Sequence, residues 1–318
     1  MRQFELALTR QGWADALVEM GGTNPDVMVL DADLSKSTLT CQFRDKFPDR
    51  FVNVGIAEQN MINVAGGLSL MGYIPFVCTY GVFVSGRAWE QIRTTTCINK
   101  LNVKLGGAHG GVSVGPDGAT HQALEEIALM RCLPNMTVLV PADYHQTRKA
   151  TMAAATIDGP VYIRFGREKV PVVTTADTPF EVGKAMVMEE GNDVTIVACG
   201  AMVAEALQAK DILAEKGISA EVINLHTVKP IDKDTIITSV KKTGALVTAE
   251  EHQVMAGMGS AVLEVIAQNL PVPAEMVGIQ DTFGETGTPD ELMVKYGVKF
   301  TNIVEKAEKV ITRKKIPG

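Results

Sequence analysis

An acidic side chain that could exchange protons stands at Glu58, just after the apolar run 51–54. The run predicts a short buried strand, and apolar residues at helical spacing predict a helix that begins near Glu58. A carboxyl group there either complements the positive helix end or, if enclosed at the end of a parallel strand, serves as a site acid. No cationic residue adjoins Glu58 in the sequence, and the stretch alone leaves both alternatives open.

A second set of reactive side chains lies in the segment 106–126, which holds six glycines together with His109, Asp117 and His121. So many glycines in one loop indicate close backbone approaches that other residues would obstruct. Two histidines in such a loop favour a binding or catalytic site. A histidine-based metal site is a weaker alternative, because no Glu or Cys stands at ligand spacing. We expect the helix after this loop to begin near Gln122.

Further polar, cationic and aromatic residues follow predicted strands or lie near the start of a helix. For a lone serine, ordinary turn and capping chemistry is the favoured explanation. Arg164 and Arg167 stand at the end of a predicted strand, with Gly166 between them. The residues in question are Arg10, Asp33, Ser37, Tyr80, Phe83, Arg164 and Arg167.

The elements that must position these residues alternate between strand and helix along the chain, which predicts an α/β fold of two doubly wound, mostly parallel-sheet domains. We expect a first domain at 1–170, a linker with a small hairpin at 171–192, and a second domain at 193–318. The pattern predicts helices at 4–20 and 87–96. His226, Glu251 and His252 are predicted to be interface or loop groups.

Composition restricts the class of protein. The 318 residues are 46% hydrophobic and 21% charged, with a net charge of −7, which argues against a nucleic-acid or anionic-membrane surface. Five cysteines without metal-ligand spacing indicate free thiols in a reducing compartment, so we expect a cytoplasmic protein. The N-terminus lacks the pattern of a secretory signal, and apolar stretches are too short for a membrane span.

Four segments together carry a resemblance to a known family. They are VGIAEQN at 54–60, TYGVF at 79–83, HGGVSVGPDGATHQALE at 109–125 and LPNMTVLVPAD at 133–143. The chain resembles the later part of transketolase, which comprises the pyrimidine-binding domain and the C-terminal domain. The diphosphate-binding domain and its metal-binding GDG…N motif have no counterpart here. The resemblance therefore implies the C-terminal subunit of a transketolase split over two polypeptides.

The resemblance implies roles for single residues around thiamine diphosphate. Glu58 matches the glutamate that hydrogen-bonds the aminopyrimidine and favours the tautomer that takes the proton from the thiazolium carbon. Phe83 matches the aromatic that stacks on the pyrimidine, with Tyr80 as a second ring and Asp33 near the cofactor. The remaining matches concern the sugar: His121 and Asp117 orient its hydroxyls, and its phosphate lies among His109, Arg167, Arg10 and the hydroxyl of Ser37, with Arg164 as a possible alternative to Arg167.

The same resemblance implies partners. Mg²⁺ and diphosphate ligands, and further catalytic histidines, must come from an N-terminal subunit, in an assembly expected to be a heterotetramer. Gly86 stands where some transketolases place a tyrosine, and Ala119 replaces a frequent proline. The alternatives are the β subunit of a 2-oxoacid dehydrogenase, a fragment of 1-deoxyxylulose-phosphate synthase, and a decayed regulatory subunit without activity. No nucleic-acid or membrane partner is expected.

Overall fold

The computed structural model describes residues 2–314. Met1 and the last four residues, which belong to the ranges predicted as the first and second domains, lie outside the described residues. No described helix is long and apolar enough to cross a membrane.

Fourteen strands are found in the described residues. Strands β1 to β8 are Leu6–Leu8, Val27–Asp31, Phe51–Asn53, Ile74–Tyr80, Lys104–Ala108, Thr137–Leu139, Val161–Arg164 and Lys169–Pro171. Strands β9 to β14 are Met186–Glu189, Val194–Ala198, Ala220–Asn224, Thr227–Lys229, Leu246–Gln253 and Ala274–Ile279.

Twelve α-helices connect these strands in the described chain. Helices α1 to α7 are Thr9–Thr23, Ser35–Thr38, Cys41–Lys46, Glu58–Leu70, Trp89–Gln91, Glu126–Arg131 and Tyr144–Ala154. Helices α8 to α12 are Met202–Glu215, Lys233–Thr243, Met258–Asn269, Pro289–Lys295 and Phe300–Arg313. Two 3₁₀ turns, Pro48–Arg50 and Val112–Asp117, and two π-helical turns, Phe83–Arg87 and Ile92–Cys97, complete the set.

Two parallel-dominated sheets form the frame and confirm the predicted fold class. The larger sheet has the strand order β12-β6-β7-β5-β4-β2-β3, and only β12 runs antiparallel to its neighbour. The smaller sheet has the order β14-β13-β10-β11-β9, with β9 antiparallel. Strands β1 and β8 form a separate antiparallel ribbon. Nearly continuous apolar runs are typical of parallel strands covered on both faces. Val194–Ala198 is such a run, with Thr195 as its one polar residue, and it is buried throughout.

The two halves of the chain are joined by packing and by pairing. Strand β12 lies in the second half of the sequence but pairs with β6 at the edge of the first sheet. One apolar core also spans both halves, with Leu105 and Val138 from the first and Val197 and Ile223 from the second. The halves therefore share buried surface.

Several local predictions were wrong because long-range contacts decided the outcome. The first helix begins only at Thr9, since residues 6–8 pair with β8. The predicted hairpin in the linker does not form, because β9 pairs instead with β11. The helix expected near Gln122 begins at Glu126, and the Gln122 side chain donates to the carbonyl of Glu285 at 2.9 Å. Strand β3 is half-buried because it lies at the sheet edge.

The helix predicted over 87–96 is also interrupted. A π-helical turn precedes the short helix α5 and another follows it. Such turns are rare and occur frequently at functional sites. The first of them carries Phe83 at its start and Arg87 at its end.

Candidate active site

The carboxyl ends of the central strands of the larger sheet place most of the predicted site residues at one edge. Strands β7, β5, β4, β2 and β3 are consecutive neighbours there. The segments after β3, β4, β5 and β7 carry Glu58, Phe83, His109 and Arg167 in turn. Parallel strands bind ligands at this edge because all their connecting loops meet there.

Tyr80 is the centre of an aromatic cluster. Its ring stacks on the His109 imidazole with centroids 3.9 Å apart, and on Phe83 at 5.7 Å. The His121 ring stands edge-on to both Tyr80 and Phe83, at 5.6 and 5.5 Å. These contacts join residues of the TYGVF segment to both histidines of the glycine-rich loop.

Glu58 is enclosed in the first turn of α4 and is linked to the same cluster through Arg87. Its side chain is only 2% exposed. No cation stands beside Glu58 in the sequence, but the fold brings one to it: Arg87 Nη1 donates to Glu58 Oε2 at 3.0 Å. The Arg87 guanidinium also lies 4.8 Å from the centroid of the Phe83 ring. Sequence reasoning missed Arg87, although its four-residue offset from Phe83 on a helical segment is a signal for neighbouring side chains.

A cationic region adjoins His109. Burial and the nearby Arg10 and Arg167 lower the pKa of His109 to about 3, so its imidazole is neutral at physiological pH. Arg167 donates to the carbonyl of Val114 at 2.9 Å and lies 3.7 Å from the Asp117 carboxylate. Burial and the neighbouring Arg167 lower the pKa of Arg10.

Two buried polar atoms in this region lack a hydrogen-bond partner among the described residues. They are Nε of Arg10 and Nδ1 of His109. Buried polar groups are usually paired, and exceptions occur where a ligand completes the site. His109 also adopts a left-handed φ of 61°, which an ordinary loop residue rarely does. These features favour a polar ligand between Arg10 and His109.

Three of the predicted site residues, Ser37, Asp33 and Arg164, make their contacts outside the aromatic cluster. Ser37 contributes its backbone carbonyl, which accepts from Arg10 at 2.8 Å. Asp33 is exposed and exchanges hydrogen bonds with Asn53 at the ends of β2 and β3. Arg164 is 6% exposed and forms a buried ion pair with Glu126, and it donates to the Glu251 carbonyl at 2.7 Å.

A side chain from the second half of the chain, Glu251, packs against the glycine-rich loop. The buried Glu251 carboxylate accepts hydrogen bonds from the backbone and the hydroxyl of Ser113. Gly111 has φ of +94°, and a Cβ there would lie 2.2 Å from Glu251. The loop that carries His121 and Asp117 is thus fitted against Glu251, and only glycine allows the approach.

Fold and site together define a two-domain α/β chain that gathers a buried acid, aromatic rings and cations at one sheet edge. Residues 7–173 match the model of the transketolase pyrimidine-binding domain, and residues 183–303 match that of the transketolase C-terminal domain. The chain belongs to the transketolase family.

Relatives of similar length indicate which type of transketolase chain this is. A Methanocaldococcus jannaschii protein, named provisionally as a transketolase C-terminal section, is 44% identical over 93% of this chain and 94% of its own. A 6-deoxy-6-sulfo-D-fructose transketolase subunit from a Clostridium strain is 43% identical over 96% and 95%. A solved split-gene transketolase, an inactive β4 tetramer, shares 51% identity and superposes with a TM-score of 0.91 over 97% of this chain and 99% of its own. The chain is therefore a subunit of the split type.

Transketolases depend on thiamine diphosphate, and the residues present fit one half of that cofactor. A buried carboxyl group at Glu58 suits an aminopyrimidine nitrogen, and the half-buried Phe83 ring offers an aromatic face. The described residues contain no group of three or more His, Cys, Asp or Glu side chains arranged to hold a metal ion. The fit of Glu58 and Phe83 concerns the pyrimidine end of the cofactor.

Proposed function

We propose that this chain is the C-terminal subunit of a thiamine-diphosphate-dependent transketolase, which transfers a two-carbon ketol unit from a ketose phosphate to an aldose phosphate. The observation that supports this best is the continuous set of contacts from Glu58 through Arg87, Phe83 and Tyr80 to His109. A proton-transfer group, a stacking face and a polar sugar site are thereby adjacent.

Each of these residues has a distinct task in the proposal. When bound, the cofactor supplies the reactive carbon and the electron sink. Glu58 holds the aminopyrimidine through a hydrogen bond and exchanges a proton with its ring nitrogen. Phe83 and Tyr80 fix the plane of the pyrimidine and exclude water from one side. Asp33, which is exposed two residues after the end of β2, is assigned to the cofactor from the family resemblance.

The sugar is bound by the glycine-rich loop and its cationic neighbours. His121 and Asp117 hold sugar hydroxyls, and the neutral His109 can accept or donate a hydrogen bond without adding charge. Arg167 and Arg10 pair with the phosphate. Because Arg164 is committed to Glu126, we assign the phosphate to Arg167 rather than to Arg164.

A partner subunit must supply the remaining half of the site. We propose that it carries the Mg²⁺ and diphosphate ligands, and that two copies of each chain form a cytoplasmic heterotetramer. The same partner would supply further catalytic histidines of the family. The donor sugar need not be a pentose phosphate, since the Clostridium relative is named for a sulfonated fructose.

Reconstitution tests the proposal. The purified chain alone should show no ketol transfer and weak thiamine diphosphate binding, whereas addition of the N-terminal subunit and Mg²⁺ should restore transfer from xylulose 5-phosphate, fructose 6-phosphate or 6-deoxy-6-sulfofructose. Full activity of the isolated chain would contradict the split-site assignment. Release of CO₂ from pyruvate or a branched-chain 2-oxoacid would instead support a 2-oxoacid dehydrogenase.

A further inference from the structure

The Arg87 guanidinium makes two contacts at the pyrimidine end of the site. It donates a hydrogen bond to the buried Glu58 carboxylate at 3.0 Å, and its central carbon lies 4.8 Å from the Phe83 ring centroid. An aminopyrimidine needs the same two groups, because it is planar, stacks on an aromatic ring, and donates an N–H to a carboxylate when its ring nitrogen is protonated. The arginine therefore uses the contacts that the cofactor requires.

The two partners of this ion pair differ in their exposure. The Arg87 side chain is 49% exposed, whereas that of Glu58 is 2% exposed. If the pair separates, Arg87 can be hydrated again at little cost, but Glu58 needs another donor at once. An incoming aminopyrimidine provides that donor once its ring nitrogen is protonated. The π-helical turn carries both Phe83 and Arg87, and its arginine contacts the Phe83 ring as well as the Glu58 carboxyl group.

We propose that Arg87 is a displaceable occupant of the pyrimidine site: it holds Glu58 and covers Phe83 in the free subunit, and it moves into solvent when the cofactor binds. This inference rests on the proposed function. It adds that cofactor binding must first break the ion pair between Arg87 and Glu58. Removal of the arginine should therefore strengthen cofactor binding, although it takes away a positive charge near an anionic ligand.

The affinity of thiamine diphosphate for the reconstituted complex, measured by isothermal titration calorimetry with Mg²⁺, tests this directly. A half-exposed ion pair is weak, so Arg87→Met should lower the Kd by about two- to tenfold. Arg87→Lys keeps the charge without the planar fork, so it should lower the Kd by less than Arg87→Met does. The matched control is Arg93→Met, which removes another exposed arginine of the same segment and should leave the Kd unchanged.

The pyrimidine half of thiamine, 4-amino-5-hydroxymethyl-2-methylpyrimidine, tests the site in the chain without its partner. Ligand-observed NMR should show stronger binding to Arg87→Met than to the wild type. High salt should narrow this difference, because it screens the ion pair. Circular dichroism and thermal melting establish that each variant is folded.

The outcomes separate this inference from the proposed function. Unchanged or weaker cofactor binding by the folded Arg87→Met variant would overturn displacement, and weaker binding would make Arg87 a residue that positions Glu58. If the wild-type complex transfers ketol units in either case, the proposed function stands. If the wild-type complex binds no thiamine diphosphate at all, both are overturned.

Discussion

Glu58 is the residue on which the proposed chemistry depends, because its carboxyl group is buried and its partner Arg87 also contacts the Phe83 ring. Glu58→Gln keeps the size of the side chain but cannot exchange a proton. We expect turnover of the reconstituted enzyme to fall by about 10²–10⁴-fold, which is the usual contribution of a positioned acid–base group. Assembly, followed by size-exclusion chromatography, should not change. Turnover within a few-fold of wild type would reduce Glu58 to a helix-end acid.

Arg167 tests the phosphate end of the site. Loss of one charge-assisted hydrogen bond costs about 1.5–3 kcal/mol. Arg167→Ala should therefore raise the KM for a phosphorylated ketose by about ten- to a hundredfold, with little effect on hydroxypyruvate, a donor without phosphate. An equal loss on both donors would mean that Arg167 supports the loop through the Val114 carbonyl.

His109 gives a pH dependence of stability. Its pKa is about 3 in the folded chain and near 6.5 in the unfolded chain, so only the unfolded chain takes up a proton as the pH falls between these values. Stability contributed by the neutral imidazole is thus present above about pH 6.5 and decreases below it, by up to about 1.4 kcal/mol per pH unit.

His109→Asn removes this group while keeping a residue that tolerates the left-handed backbone. Urea unfolding at about pH 7 and about pH 5 should show a smaller loss of stability in the variant than in the wild type. Burial lowers the pKa of His226 to about 4. Because His226 is present in both proteins, its contribution to the pH dependence cancels in the comparison. His145→Asn serves as the control. Equal losses in wild type and His109→Asn would show that His109 is not buried in solution.

At the scale of elements, the close contact of helices α1 and α7 depends on a single glycine. A Cβ on Gly12 would lie 2.3 Å from the backbone carbonyl of Tyr144, which cannot move without its helix. Gly12→Ala should therefore destabilise the chain by about 1–3 kcal/mol, as overpacking does.

Gly22 lies in the same helix and provides a matched control, since a Cβ there meets nothing within 4 Å. Gly22→Ala should stabilise by about 0.4–1 kcal/mol, because alanine loses less backbone entropy in a helix. Chemical denaturation of both variants checks the pair. Similar effects of the two substitutions would contradict the close helix contact.

At the scale of the whole molecule, the buried ion pair of Arg164 with Glu126 connects the glycine-rich loop region to the Glu251 backbone of the second half. Arg164→Leu leaves Glu126 buried without its cation, which should cost about 3–5 kcal/mol. Both tryptophans lie in the first half of the chain, whereas far-UV circular dichroism reports both halves.

In the wild type, the two signals should therefore change together on denaturation, and in Arg164→Leu they should separate. If Arg164→Leu retains activity, the substitution should change the KM values for phosphorylated and unphosphorylated donors by the same factor. Arg167→Ala, in contrast, should raise mainly the KM for the phosphorylated donor. A selective rise in KM for the phosphorylated donor would move the phosphate to Arg164.

The sequence by itself determined the α/β class and the family, and it supplied most of the residues that we propose for the site. Alternating apolar runs and helical spacing are local properties, so β2, β4, β10 and their helices could be predicted. The glycine-rich segment and VGIAEQN were likewise recognisable without coordinates, because the chemistry restricts residue types along continuous stretches.

Only the tertiary structure decided which side chains meet. The antiparallel pairing of β9 with β11, the contact of Arg87 with Glu58 and the commitment of Arg164 to Glu126 all join residues that are distant in sequence. Local pattern contains no information on such pairs, because each is selected by burial and by the need to satisfy buried charge. His109 Nδ1 and Arg10 Nε are exceptions, since they find no partner among the described residues at the site where we place the substrate.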